Sequence, residues 1–258
     1  MRHQPKIIAV ANQKGGVGKT TTVVNTAVGL AQLKHRVLLV DLDPQGNATM
    51  ACGVDSRALD ISACELLLSE CDAREAIIKT DGIDVIGANT DLTAAELQLM
   101  DDDYPQQALK RQLAQVADDY DYILIDCPPS LSILTINALT AADSVLIPMQ
   151  CEYYALEGLT SLLDTIKRVQ QTVNPDLQIE GLLRTMFDGR NNLANDVAAQ
   201  ISEHFGDKVF TTVVPRNVKV AEAPSFGVSA IEYDHLSRGA VAYKGLASEI
   251  IRRNHGRN

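Results

Sequence analysis

The residues best suited to chemistry lie in one glycine-rich stretch near the start of the chain. Residues 13–21 read QKGGVGKTT, between an apolar β-type run at 6–11 and a helical pattern at 20–33. Glycines allow successive backbone N–H groups to approach and surround a polyphosphate. Lys19 would then contact the β and γ phosphates, and the Thr20 hydroxyl would bind Mg²⁺. The predicted phosphate site comprises Lys14, Gly15, Gly16, Val17, Gly18, Lys19, Thr20 and Thr21.

Acidic residues follow two other apolar runs that have the length of buried strands. Asp41 and Asp43 come after the run at 36–40, and Asp126 closes the run at 120–126. Ligands of open α/β sheets bind beyond the carboxyl ends of the strands, so we expect these acids beside the phosphates. Asp126 would hold the hydration shell of Mg²⁺. For Asp41, a purely structural role at the strand end stays open beside a functional one.

The glycine-rich stretch departs from the ordinary GxxxxGK[ST] pattern in two places. Gln13 replaces the first glycine, and a second lysine, Lys14, lies inside the loop. KGGVGKT resembles the deviant Walker A motif of the group that contains ParA, MinD and the nitrogenase iron protein. The resemblance implies that Lys14 crosses a dimer interface to the ATP of the partner, so that two subunits enclose the nucleotides.

Three more segments carry the resemblance in the same order. DLDPQGN resembles switch I, DCPPS resembles switch II in its partition-protein form, and PRN resembles an adenine-binding segment. The likeness runs from about residue 6 to 253 and is strongest to the short ParA/Soj-type partition ATPases. It implies ATP and Mg²⁺ as cofactors. The implied catalytic residues are Lys14, Lys19 and Asp43, and the implied metal residues are Thr20, Asp43 and Asp126.

The resemblance also assigns roles outside the phosphate loop. Asp43 polarises the attacking water near Mg²⁺, and Asn47 assists on the nucleotide side. Glu152 is a contact across the dimer. Pro215 and Asn217 contact the adenine.

The fold expected from these patterns is one α/β domain over residues 1–258. It is a doubly wound, mostly parallel sheet with helices on both faces, a P-loop NTPase of the deviant Walker A, SIMIBI type. Strands are predicted at 6–11, 36–40, 83–87, 120–126, 144–148, 177–185 and 208–214. Helices are predicted at 20–33, 62–69, 72–79, 92–100, 106–117, from the N-cap Ser132 onwards, and at 156–173, 193–205 and 238–253.

Charge is unevenly distributed along the chain. The net charge is −10, yet residues 216–258 hold seven Lys/Arg against four Asp/Glu, a net of +3. Because nucleic acids are bound through basic surfaces, only a local patch could bind DNA, through its phosphates and without sequence preference. The candidate DNA-binding residues are Arg190, Arg216, Lys219, Arg238 and Lys244. Five cysteines without a CxxC pair argue against a disulfide framework and a zinc site.

The function implied by the resemblance is an ATP-dependent dimerising switch. It binds non-specific DNA and hydrolyses ATP to segregate chromosome or plasmid copies with a ParB-type centromere-binding protein. The expected location is the cytoplasm, on the nucleoid and without membrane contact, since no apolar run approaches the ~18 residues of a membrane span. With the glycine loop starting at residue 13, no N-terminal helix-turn-helix domain is expected.

Two other classes of function remain open from the sequence. A MinD-like membrane ATPase that positions the division site needs an appended amphipathic helix. Only the polar residues 254–258 follow the last predicted helix. A metabolic phosphoryl-transfer enzyme, such as a synthetase that activates a carboxylate, would need a substrate pocket instead of a DNA-binding face.

Overall fold

The computed structural model describes residues 4–153 and 155–255. Eight strands form one sheet, namely β1 (Lys6–Val10), β2 (Val37–Asp41), β3 (Ile77–Lys79), β4 (Asp84–Ile86), β5 (Tyr122–Asp126), β6 (Ser144–Met149), β7 (Gln178–Phe187) and β8 (Val209–Pro215). Their order across the sheet is β3-β4-β2-β5-β1-β6-β7-β8. Every neighbouring pair is parallel except β3 and β4. The prediction of a mostly parallel sheet is confirmed.

The helices between the strands are α1 (Lys19–Gln32), α2 (Asn47–Ala51), α3 (Ala63–Leu67), α4 (Leu92–Gln98), α5 (Ala108–Leu113), α6 (Ile133–Ala141), α7 (Ala155–Thr172) and α8 (Asn192–Phe205). After β8 follow α9 (Val218–Glu222), α10 (Ala230–Tyr233) and α11 (Arg238–His255). Several begin at polar caps that are visible in the sequence. Ser132 accepts a hydrogen bond from the Leu134 N–H, as expected for the N-cap of α6. None of the helices in the described ranges is both long and apolar enough to cross a membrane.

Side chains of the central strands alternate between two hydrophobic cores, one on each face of the sheet. In β1, Ile8 and Val10 pack with α1 and α11, whereas Ala9 belongs to the core on the α3 to α8 side. Strands buried on both faces are continuously apolar, which is why the runs in the sequence do not alternate with polar residues. Helices therefore cover both faces, and the doubly wound arrangement is confirmed.

The helix predicted at 72–79 is wrong. Residues 73–75 form a turn, and Ile77–Lys79 is the antiparallel edge strand β3. The Asp72 N–H donates to Glu75 and the Asp72 carboxylate accepts from the Arg74 N–H, a local pattern that imitates a helix start. Pairing with β4 places Ile78 opposite Val85, and this tertiary contact overrides the local signal.

The remaining differences concern short elements. The helix predicted at 106–117 is regular only over Ala108–Leu113, with 3₁₀ turns before and after it. The short helices α2, α9 and α10 were not predicted. At the outer edge of the sheet, the buried Glu249 carboxylate accepts hydrogen bonds from the N–H groups of Thr211 and Thr212. This contact occupies donors of β8 that could otherwise pair with another strand.

Candidate nucleotide site

The glycine-rich loop connects β1 to α1 and has the backbone shape that a phosphate requires. Gly16 and Gly18 have φ angles of 73° and 87°, in the left-handed region that favours glycine. Gly18 is the N-cap of α1, so the first helical residue is Lys19. The N–H groups of the first turn have no partner within the helix, and a bound anion can accept from them. The structure therefore places the predicted phosphate-binding residues at the start of a 14-residue helix.

Polar side chains from three other places fix the shape of this loop. Asn12 accepts a hydrogen bond from the N–H two residues later, at 2.9 Å. Thr185 donates to the Val17 carbonyl at 2.7 Å, and Gln150 donates to the Gly16 carbonyl at 3.2 Å. Asn12, Gln150 and Thr185 were missed at the sequence level. The available signal is that Gln150 directly follows β6 and that Asn12 lies two residues after the end of β1.

Lys19 begins α1, and its side chain folds back over the loop. Its side chain is largely buried, and its ammonium group is 3.4 Å from the Lys14 carbonyl. Burial lowers the pKa of Lys19, while Asp126, Cys127 and Asp43 oppose the shift. A polyphosphate in the loop would favour the charged form, as any nearby anion does. The position fits the predicted contact between Lys19 and the phosphates.

Asp126 ends β5 beside the loop and fits a magnesium site. Both of its carboxylate oxygens are buried without a hydrogen-bond partner among the described residues. Burial, and next the Asp41 carboxylate, raise the pKa of Asp126 well above its usual range, while Thr20 and Lys19 oppose the rise. A buried carboxylate without partners is costly, and a hydrated Mg²⁺ with the Thr20 hydroxyl would satisfy it. The residues present therefore fit the cation.

We expect Asp126→Asn to stabilise the metal-free, nucleotide-free protein. The change removes the cost of burying this charge, which Lys19 and Thr20 offset only in part. At a pH where the Asp126 carboxyl is ionised, the gain should be about 1–3 kcal/mol. The same variant should lose the additional thermal stabilisation that Mg²⁺ gives in the presence of ATP, because the cation loses its carboxylate. Thermal unfolding with and without MgCl₂ and ATP measures both effects. A destabilised metal-free variant that still responds to Mg²⁺ would contradict this role of Asp126.

Asp41 has a positioning role. Its carboxylate accepts from the Asp43 N–H, the Thr49 N–H and the Thr49 hydroxyl, at 3.0, 2.8 and 2.7 Å. Burial raises the pKa of Asp41 to about 6, although these hydrogen bonds oppose the shift. The carboxylate thereby fixes the segment 43–49, which carries the residues predicted to act on the water. Of the two readings left open by the sequence, the contacts support the structural one.

Asp43 is the first residue of the segment 43–49, and Asn47 lies four residues further along, at the start of α2. Asp43 is half-buried and accepts from the Gln45 N–H at 3.0 Å. Asn47 begins α2 and lines a cavity of about 320 Å³ together with Thr20 and Thr21. The structure thus brings Asn47 next to the first turn of α1, as expected for a group on the nucleotide side.

Lys14 does not point into its own phosphate loop. Its ammonium group forms an ion pair with Glu152, at 2.5 Å, and both side chains are about half exposed, at 41% and 51%. Glu152 follows β6, whose loop also supplies Gln150. In the single chain, Glu152 is therefore paired with Lys14. Glu152 is the residue predicted to contact the other subunit, and Lys14 is the lysine predicted to cross to that subunit. The pair is exposed and worth less than about 1 kcal/mol.

The residues predicted to contact adenine end β8 and begin the next helix. Pro215 borders two cavities with Phe187 and Arg238. The Asn217 side-chain oxygen caps α9 by accepting from the N–H groups of Lys219 and Val220. The amide NH₂ of Asn217 is the part of the side chain that a base acceptor could use.

Three of the five candidate DNA-binding residues come together in the structure. Arg190, Arg216 and Arg238 line one cavity of about 510 Å³ with Asp188. The Arg190 guanidinium donates two hydrogen bonds to the Asp188 carboxylate and the Arg190 N–H donates a third. The pKa of Asp188 is lowered to about 2, chiefly by Arg190. Lys219 is paired with Glu222 on α9, at 2.9 Å. Lys244 lies on α11 and is not among the residues lining this cavity.

Comparison with known proteins gives consistent matches over nearly the whole chain. A family model described as an AAA domain matches residues 5–179. The sporulation initiation inhibitor protein Soj of Bacillus subtilis is 52% identical over 95% of this chain and 98% of its own length. The chromosome partitioning protein ParA of Myxococcus xanthus is 49% identical over 96% of this chain and 89% of its own.

A solved structure from Mycobacterium smegmatis extends the match to three dimensions. It is described as a cobyrinic acid a,c-diamide synthase with bound ADP and magnesium, and is 40% identical, with a TM-score of 0.87 over 98% of this chain and 97% of that chain. The fold, the phosphate loop and the partition-protein relatives agree with one another. This chain belongs to the ParA/Soj family of chromosome-partitioning ATPases.

Proposed function

We propose that this protein is an ATP-dependent dimerising switch that binds DNA without sequence preference and releases it on hydrolysis. Two subunits enclose two ATP–Mg²⁺ groups, and Lys14 of each subunit contacts the nucleotide of the other. Lys19, Thr20 and Asp126 hold the phosphates and the cation. Asp43 orients the attacking water. The magnesium and adenine nucleotide of the Mycobacterium smegmatis structure support this assignment.

The orientation of Lys14 is the observation that carries the proposal. The Lys19 ammonium contacts a carbonyl of its own loop, whereas the Lys14 side chain extends to Glu152. The Lys14–Glu152 pair is exposed and weak, so Lys14 can exchange this carboxylate for a phosphate of a second subunit at little cost. A lysine needed only by its own nucleotide would point inward.

The proposed DNA surface includes Arg190, Arg216 and Arg238, with Lys219 and Lys244 contributing from α9 and α11. A dimer doubles the number of phosphates that the surface can neutralise. Since log K falls with log[salt] by about 0.9 per contacted phosphate, doubling the contacts converts marginal binding into stable binding. DNA binding thereby depends on which nucleotide is bound, and the ATP-bound dimer is located on the nucleoid.

Substitutions of the two residues in the Arg190–Asp188 ion pair should have opposite effects on DNA binding. For each subunit of the ATP-bound dimer, Arg190→Ala should weaken binding of non-specific duplex by about three- to tenfold and reduce the salt slope by about 1. Asp188→Asn should strengthen binding, because it frees Arg190 and removes a charge that repels phosphates. Glu203→Gln on the exposed side of α8 is the matched control for the loss of one acid. Equal effects of Asp188→Asn and Glu203→Gln would contradict the assigned surface.

The proposal includes a ParB-type centromere-binding protein that stimulates hydrolysis. The experiment measures ATP turnover with non-specific DNA, and then with that partner added. Turnover that is weak alone and rises with the partner supports the partition switch. Flotation of the ATP-bound protein with anionic vesicles would instead favour the MinD-like membrane function.

The match to a protein described as a cobyrinic acid a,c-diamide synthase supports a second candidate function, that of a metabolic enzyme. Such an enzyme would hydrolyse ATP only in step with the conversion of a carboxylate substrate to its amide, which needs a nitrogen donor. ATP turnover that depends on a corrinoid carboxylate and is indifferent to DNA would replace the partition function with this one.

A further inference from the structure

The surface formed by residues 91–104, here called the α4 surface, exposes large apolar side chains. Leu97, Met100 and Tyr104 are 77%, 65% and 58% exposed. The opposite side of the same segment is anchored in the core by Leu92 and Leu99, which are fully buried. The segment is thus anchored by its buried side chains, while most of the surface of its outer apolar side chains is exposed to solvent. Apolar groups grouped in this way mark interaction surfaces more often than single exposed ones do.

The α4 surface is also strongly acidic. Residues 91–104 contain five Asp or Glu and no Lys, Arg or His. Asp102 is paired with Arg111. Within residues 4–153 and 155–255, no ion pair is found for the other four acids, Asp91, Glu96, Asp101 and Asp103. The apolar side chains therefore share a 14-residue segment with four acids whose charge no ion pair among the described residues compensates.

We propose that the α4 surface is the docking site for a basic segment of a partner protein, one that places Leu-like side chains between Lys or Arg residues. The apolar part of such a segment would cover Leu97, Met100 and Tyr104, and its cations would face the four unpaired acids. This charge complementarity favours a basic protein segment as the ligand of the α4 surface. DNA and anionic membranes are repelled by the same acids, so they do not fit this surface.

The position of the α4 surface links docking to the nucleotide site. The connection from β4 to α4 passes Ala88, whose N–H donates to the Thr49 hydroxyl at 2.9 Å, and that hydroxyl donates to Asp41. Gly46 packs so closely on the Ala88 carbonyl that an added Cβ would lie 2.6 Å from it. Binding of a segment to α4 would therefore be transmitted to residues 43–49 through the contacts of Ala88 with Thr49 and Gly46. This link rests on the proposed role of Asp43 in hydrolysis, whereas the docking itself does not.

The docking is tested with a defined probe and nucleotide-free protein. The probe is a fluorescein-labelled 18-residue peptide of Lys and Leu, with Leu at helical spacing, and its anisotropy reports binding at 50 and 300 mM NaCl. The triple variant Asp91→Asn, Asp101→Asn, Asp103→Asn should weaken binding about tenfold, as should Leu97→Ser with Met100→Ser. All five positions are exposed, so the fold should survive these changes.

A matched triple variant separates a specific site from general attraction to an acidic protein. Asp176→Asn, Asp196→Asn and Glu203→Gln remove the same charge from exposed positions elsewhere, and should change binding less than twofold. Equal weakening by the two triple variants would overturn the proposal. So would self-association of the wild-type protein in sedimentation that Leu97→Ser abolishes, since the occupant would then be a second copy of this chain.

Hydrogen exchange tests the link to the nucleotide site separately. Bound peptide should slow amide exchange in residues 91–104 and also in residues 43–49. Protection confined to 91–104 would leave the docking site established and would overturn its connection to Asp43. Basal ATP hydrolysis and DNA binding of the α4 variants, measured without peptide, should equal those of the wild type. A failure of the docking is thereby distinguished from a failure of the proposed switch.

Discussion

Asp43→Ala should slow ATP hydrolysis by about 10²- to 10⁴-fold, the range expected when a group that positions a proton acceptor or the attacking water is removed. The Asp43 backbone is held by Asp41, and its carboxylate accepts from the Gln45 N–H, so the loss should be confined to the missing carboxylate. ATP-dependent dimerisation should persist, because the phosphate loop and Lys14 are untouched. The variant is therefore expected to accumulate as an ATP-bound dimer on DNA.

Single-turnover hydrolysis and light scattering with ATP measure the two effects of Asp43→Ala. Asp60→Ala is the control, since Asp60 is exposed and lies outside the residues that line the site. Hydrolysis within threefold of the wild type would contradict the assigned role. A variant that also fails to dimerise would show that Asp43 acts on assembly and not on the water.

Lys14→Ala should abolish the ATP-dependent dimer at micromolar protein while sparing ATP binding to the monomer. A symmetric dimer loses two charge-assisted contacts, each worth about 1.5–3 kcal/mol. The dissociation constant should therefore rise by about 10²- to 10⁴-fold. ATP binding to the monomer is spared because the Lys19 side chain, and not that of Lys14, folds back over the phosphate loop.

Two further variants make the result for Lys14 specific. Glu152→Gln frees Lys14 from an exposed ion pair worth less than about 1 kcal/mol, so the dissociation constant should change less than about fivefold. Lys110→Ala removes one exposed positive charge from α5 and should have no effect. Dimerisation of Lys14→Ala at wild-type strength, with ATP bound, would remove the argument for a contact across the subunits.

Much of the fold could be predicted because its signals are local. Continuous apolar runs marked the buried strands β1, β2, β5 and β6, since both faces of a parallel sheet are covered. The acids at 41, 43 and 126 could be placed together from the rule that the carboxyl ends of parallel strands share one edge. The glycine loop was predictable from its position between a strand and a helix.

Other features depend on contacts between distant residues and could not be predicted. β3 is a strand because Ile77 and Ile78 pair with β4, whereas its flanking Asp72 and Glu75 imitate a helix start. The pairing of Lys14 with Glu152 joins residues 138 positions apart, and no local sequence pattern indicates it. The role of Asp41 depends on Thr49, whose hydroxyl also reaches the β4 to α4 connection.

The central claim is that the nucleotide controls DNA binding through the dimer. The most direct test is a mobility shift of non-specific duplex DNA with ATP, with ADP and without nucleotide, at two salt concentrations, for the wild type and Lys14→Ala. We predict a shift only for the wild type with ATP, weakened at the higher salt. Binding that is equal in all three nucleotide states, or retained by Lys14→Ala with ATP, would contradict the claim.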